Sequence, residues 1–142
     1  MTRELTEILA FVRLHKVAVQ SSNALEGAPQ AAVIGFVASD TFELFFDTLG
    51  DTRKAANLRR DGRISLVVGW SLETARTVQL EGTADEPTGD DLARLKALYF
   101  ERFPDGVERE SWPGIAYFRV RPTWVRSSDF SGAKPVIVEW PA

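Results

Sequence analysis

Thr52-Arg53-Lys54 lies between a run of strand character and a run of helix character, and the chain's chemistry concentrates at these three residues. Phe45-Phe46-Asp47-Thr48-Leu49 suits a buried strand, and Gly50-Asp51 suits the turn after it. Ala55 to Arg60 reads as a helix whose first turn carries Arg53 and Lys54. A helix N-terminus holds roughly half a positive charge and exposes unpaired backbone N–H groups, so acidic residues are expected there. Two cations in that turn are electrostatically inverted, and a bound phosphate would correct the inversion. The other reading is a solvated basic helix for which Asp51 or Thr52 is only a cap.

Other chemistries lack material. The absence of cysteine excludes disulfides, thiolate zinc sites, iron–sulfur clusters and a cysteine nucleophile. His15 is the single histidine and sits near a helix end, where a dipole partner is the ordinary role, so neither a Ser-His-Asp triad nor a metal site is expected. Asp85 with Glu86 and Asp90 with Asp91 lie at a strand end and a helix start, where solvation and capping account for them. Arg59, Arg60 and Arg63 either extend the phosphate site or form a solvated face that pairs with Asp61. The formal net charge of −3 gives no global attraction to nucleic acid.

The elements that position Arg53 and Lys54 follow from periodicity. At 142 residues, 44% hydrophobic and 26% charged, the chain suits one globular domain spanning 1–142. It has no apolar run near ~18 residues, and an amino end containing Glu4 and Glu7 is unlike a signal peptide, so a cytoplasmic location away from membranes is expected. Leu5, Ile8, Leu9 and Val12 mark one face of a helix capped by Thr2. Lys16–Ser22 and Gln30–Ala38 form a hairpin around Asn23, Gly27 and Pro29, and Phe42–Thr48 is a third strand. The apolar run Arg63–Trp70 predicts a strand buried on both faces, and Thr74–Asp85 alternates as a strand with one wet face and a long antiparallel neighbour.

Thr88 and Asp91 resemble a capping box opening a helix through Leu92, Leu95, Leu98, Tyr99 and Phe103. Ile115–Ser127 is the last strand, with Pro122 at an edge or bulge, and Ser131–Ala142 reads as a partner-facing tail. About six strands with hairpin connections and no repeating βαβ unit predict a mainly β fold, an antiparallel β-barrel with peripheral helices.

These residues resemble the FMN-binding split barrels related to pyridoxamine 5'-phosphate oxidase, from about Ala18 to about Val125. The resemblance rests on the strand ending at Thr48, on Thr52-Arg53-Lys54, and on Asn57-Leu58-Arg59-Arg60-Asp61-Gly62-Arg63-Ile64-Ser65-Leu66. Trp70 and Val78-Gln79-Leu80-Glu81-Gly82-Thr83-Ala84 extend it. It implies a six-stranded split barrel with FMN as cofactor, whose phosphate Arg53 and Lys54 grip with Thr52 as a neutral donor. It implies that Val33, Ile34 and Gly35 on the second strand, with Asp47 and Thr48, line the ring and ribityl parts. Gly35 suits the close approach of a planar ring. Thr77 stands where the oxidase usually has a glutamine, and Gln79 on the same face is its substitute.

The resemblance also implies a homodimer with cofactor at the subunit interface. Four tryptophans and nine phenylalanines are many for this length, and Trp112, Trp124, Phe130 and Trp140 are either partner-facing or core aromatics. The arginine- and histidine-bearing C-terminal motif of the true oxidases is absent, and their second-strand arginine is replaced near Ala31. The expected activity is therefore that of an FMN-dependent oxidoreductase on an unidentified small substrate, with no catalytic residue assigned and oxidation of pyridoxine phosphate not expected. The alternatives are a flavin, deazaflavin or haem binder without turnover, and a cofactor-free interaction protein.

Overall fold

Leu5, Ile8, Leu9 and Val12 form the buried face of α1 (Arg3–Val12) in the computed structural model, which describes residues 1–142. Thr2 caps this helix, its side chain accepting from the Leu5 N–H at 3.1 Å. β1 (Val17–Asn23) and β2 (Pro29–Gly35) make the expected hairpin, with Val17 opposite Gly35 and Asn23 opposite Pro29. The second run does not reach Ala38 as one strand. It breaks at Phe36, whose N–H donates to the Lys16 carbonyl at 2.9 Å, and resumes as β3 (Val37–Ala38).

The remaining strands are β4 (Leu44–Leu49), β5 (Arg63–Val68), β6 (Arg76–Asp85), β7 (Ile115–Asp129) and β8 (Val136–Trp140). They give the order β2-β1-β5-β6-β7-β4-β3, with β8 added along β7. The two edge strands, β2 and β3, are consecutive in the chain and separated only by Phe36, so the sheet must curl until its edges meet. Phe36 is fully buried in the main core at that seam, which the covalent chain joins without a hydrogen-bonded ladder. The result is a split barrel of mainly β structure. It has eight strands where about six are expected, because the second run divides at Phe36 and the carboxy-terminal segment also pairs.

Three expectations are corrected. β5 is buried on one face: Ile64, Leu66 and Val68 point inward while Val67 is 44% exposed. The strand covered on both faces is β4, whose Leu44 and Phe46 join the barrel core while Phe45 packs with Leu95, Tyr99 and Tyr117 under α3 (Gly89–Arg102). An apolar run alone does not tell which strand a helix will cover. The Thr88 side chain makes no cap bond, and the Asp91 carboxylate, which a capping box would turn back to the Thr88 N–H, accepts instead from Arg94 and Arg119. Ser131–Ala142 is no free tail, since β8 pairs with β7 from Val136 opposite Asp129 to Trp140 opposite Val125.

Pro122 is accommodated by a bulge, where the β6 register shifts between Glu81 and Gly82. A Cβ at Gly82 would collide with the Arg121 carbonyl, so only glycine fits there.

α2 (Arg53–Arg60) packs Ala55 and Leu58 into the barrel core. A short α4 (Gly106–Arg109) follows α3, and no helix is long and apolar enough to cross a membrane. Between β7, β6, β4 and α3 lies a neutralised charge cluster. Arg119, only 5% exposed, donates to Asp85 Oδ2 at 2.6 Å, to Asp91 at 3.3 Å and to Glu43 at 3.4 Å. Arg94 also donates to Glu43, at 2.9 Å, and that bond above all pulls the Glu43 carboxyl down to about 2.

Candidate functional site

The turn from β4 into α2 is built so that its donors point outward. Gly50 is pinned by its N–H to the Gly114 carbonyl at 2.7 Å and by Arg59 donating to its own carbonyl at 3.1 Å. Thr52 caps α2, its hydroxyl oxygen accepting from the Ala55 N–H at 3.2 Å and its proton going to the Leu49 carbonyl at 2.8 Å. The N–H groups of Arg53 and Lys54 have no acceptor in the chain. Lys54 donates through Nζ to the Thr48 hydroxyl at 2.9 Å and pairs with no carboxylate, and its burial lowers its pKa below the ordinary lysine value. Arg53 is exposed and also unpaired.

This turn faces a pocket of about 430 Å³ whose other wall comes from β1 and β2: Gln20, Ser22, Gln30, Ala31 and Ala32. The alanines leave the space open. Asp51 on the rim is the only carboxylate among the lining residues. Asn57 of α2 organises the polar floor, donating one amide proton to Ser22 at 3.1 Å and the other to Gln30 Oε1 at 2.9 Å. Arg60 donates to Asn57 Oδ1 at 3.1 Å, which fixes the orientation of that amide. Gln20 is 1% exposed and its Oε1 is buried with no partner. Two free backbone donors and two uncompensated cations fit a phosphate group.

The structure brings Thr48, Thr52, Arg53 and Lys54 together as expected from sequence, but alters one role. The Thr52 hydroxyl has spent its proton on Leu49, so Thr52 acts here as a cap. Asp47 points the other way along β4, where its carboxylate accepts from Tyr99 OH at 3.1 Å and from Arg109 Nε at 2.8 Å. Burial, then the Asp47 charge, push the Tyr99 hydroxyl above its ordinary value. Ile34 faces the core, and Val33 lies outside at 70% exposure. Gly35 is closely approached, but by the Phe103 ring, which would stand 3.3 Å from a Cβ at that position.

Thr77 donates to the Val68 carbonyl at 3.3 Å, and Gln79 lies in one outer row with Val33, Val19 and Val67. Two strands, β1 and β5, separate them from β2, roughly 14 Å at ordinary strand spacing. Within one chain, Thr77 and Gln79 do not converge with Arg53 and Lys54. Arg59, Arg60 and Arg63 are spent on Glu86, Asn23 and Asp61 and do not extend the anion site. His15 Nδ1 is bonded to the Phe11 carbonyl at 2.9 Å, the helix-end role its position suggests.

Gln20, Ser22, Gln30 and Asn57 are the site residues that sequence reasoning misses. For the strand residues the signal is polarity on the inward phase: Gln20 and Ser22 share the alternation of buried Ala18, and Gln30 that of buried Ile34. A larger cavity, about 940 Å³, lies elsewhere, over Leu5, Phe42, Val125 and Trp140. Its Glu43 and Arg94 already pair with each other and its Arg121 lies 3.6 Å from Asp85, so the arginines lining it are compensated within the chain.

No curated protein matches the chain in sequence. Among solved structures it is similar to a heme binding protein from Mycobacterium smegmatis, at 19% identity and TM-score 0.83, covering 97% of this chain and 58% of that one. The chain thus spans less than two thirds of that protein's length. A heme storage protein from Vibrio cholerae aligns at 19% identity and TM-score 0.70, covering 82% and 87% of the two chains. A pyridoxamine 5'-phosphate oxidase-related, FMN binding protein from Nostoc punctiforme aligns at 13% identity and TM-score 0.68, covering 94% and 86%. At these identities the likeness is one of fold. The family described as Pyridoxamine 5'-phosphate oxidase matches residues 5–129, most of the chain including the whole β4-to-α2 site. The curled sheet, the basic helix start and that match agree, and the chain belongs to the pyridoxamine 5'-phosphate oxidase family of split barrels.

Proposed function

We propose that this chain is an FMN-binding flavoprotein that acts in the cytoplasm as an oxidoreductase on a small substrate. The observation that carries the reading is the α2 N-terminus, where two free N–H groups, Arg53 and Lys54 face one pocket without a carboxylate partner for either cation. FMN supplies the electron-transfer chemistry when bound, so the chain need only bind and orient it, and the lack of a conventional catalytic constellation is compatible with an enzyme.

The same proposal includes a homodimer with the flavin at the subunit interface. Its support is the outer face of β2-β1-β5, where Val33, Val17, Val19 and Val67 are 70, 58, 44 and 44% exposed in adjacent strands. A second copy would also bring Thr77 and Gln79 toward a ligand they do not reach within one chain. Haem is the competing ligand, given two relatives named for binding or storing it. The pocket beside α2 holds no histidine, and His15 is turned to its own helix, which favours the flavin.

The test is direct. Protein purified with its cofactor should show flavin absorbance, and stripped protein should take up one FMN per chain by calorimetry and run as a dimer in light scattering. A nicotinamide donor should bleach the bound flavin, and an added acceptor should restore it. Stripped protein that binds haem and refuses FMN would defeat the proposal.

A further inference from the structure

Gln20 has no structural reason to be an amide. It is 1% exposed, opposite Ala32 on β2 and Leu66 on β5, and its side chain makes no hydrogen bond within the chain. A buried amide without a partner destabilises a fold, and an apolar residue of similar volume would avoid that penalty. Gln20 nevertheless lines the pocket that α2 faces.

The pocket has two chemically distinct halves. The α2 half carries the cations and free N–H groups. The strand half is neutral: Ser22 and Gln30 each accept one proton from Asn57, which leaves the Ser22 O–H and the Gln30 NH₂ available to donate. Gln20 adds a donor and an acceptor on one side chain. An anion would be repelled by the amide oxygen, whereas a hydroxyl group, itself donor and acceptor, satisfies both ends of an amide.

We propose that the strand half reads a polyhydroxylated chain attached to the phosphate, with Gln20 as a specificity-determining residue. This inference rests on the flavin reading above and assigns Gln20 to the ribityl hydroxyls, as distinct from the phosphate or the ring. It makes the site selective for phosphate esters of polyols over inorganic phosphate.

Gln20→Leu, titrated with FMN, riboflavin and inorganic phosphate, tests it. The variant should lose about tenfold in affinity for FMN and for riboflavin, the worth of one well-made hydrogen bond. Inorganic phosphate should bind as to the unaltered protein, and the thermal midpoint of the stripped protein should stay equal or rise. Arg53→Ala should do the reverse, weakening FMN and phosphate and sparing riboflavin. FMN affinity unchanged in Gln20→Leu overturns the role of Gln20 and leaves the flavin reading standing. A lowered midpoint with FMN affinity kept makes Gln20 structural and overturns it equally. If the leucine variant does not fold, Gln20→Met makes the same comparison. Unaltered protein that takes up phosphate but neither flavin overturns both readings.

Discussion

Arg119 and Lys54 are both cations withdrawn from water, and the chain treats them in opposite ways. Arg119 is surrounded by Asp85, Asp91 and Glu43, with Arg94 sharing two of those carboxylates. Its pKa rises, chiefly through the Asp85 bond, because its charged form is held from several sides. Lys54 has one hydroxyl and no carboxylate, and burial lowers its pKa with nothing to offset the desolvation. A charge neutralised within the chain is architecture. A charge left uncompensated beside free backbone donors is directed at something from outside, and that contrast separates the two clusters more reliably than cavity size does.

The contrast breaks most visibly at α2. Changing Arg53 and Lys54 together to Ala should weaken FMN binding by about 3–6 kcal/mol, since each charge-assisted contact is worth roughly 1.5–3. Stability toward urea should move by no more than about 1 kcal/mol, since the Lys54 bond to the Thr48 hydroxyl is the one internal hydrogen bond lost. Calorimetry and a urea melt on the same preparation give both values, and a large loss of stability would erase the distinction.

Arg119→Met should show the reverse pattern, with a loss of about 3 kcal/mol in stability and FMN affinity kept in the folded fraction. That figure is the low end for a broken buried pair, because Asp85 and Asp91 are 42% and 54% exposed and can rehydrate. A Kd for FMN that shifts with Arg119→Met would mean that the two clusters are coupled.

Titration sharpens the comparison with smaller effects. The folded Glu43 carboxyl sits near about 2, below its ordinary 4.5, so its contribution is complete above pH 4.5 and is lost as pH falls toward about 2. Urea midpoints measured across that window should decline, and Glu43→Gln should flatten the decline. On the alkaline side, Lys54 loses its charge below the ordinary 10.5, so FMN affinity should fall as pH rises before free lysine would titrate. An affinity flat up to pH 10.5 would remove Lys54 from the site. The smallest change belongs to the cap: Thr52→Ala should cost about 1 kcal/mol of stability.

Much of this was legible in the chain. Leu5, Ile8, Leu9 and Val12 repeat at helical spacing, and Val78, Leu80 and Gly82 alternate against wet neighbours, because those periods are local properties of helix and strand. Pro122 announced its bulge, since proline cannot complete a ladder. Phe36 did not announce the seam, because which edge a residue joins depends on strands far away in sequence. For the same reason β5 lacks the second covered face that its apolar run suggested: α3 covers β4 instead, and no pattern within either strand records that.

Sequence by itself determined that Arg53 and Lys54 open a helix with no acidic residue in its first turn, since helix polarity and side-chain charge are fixed by order along the chain. It also determined the mainly β class through strand periods and turn residues. Only the tertiary structure decided that these cations find no carboxylate, that Asp47 belongs to Tyr99 and Arg109, and that Gln20 is buried without a partner beside them. The reason is physical: charge compensation and desolvation depend on distances through space, which the curling of the sheet sets and the order of residues does not express.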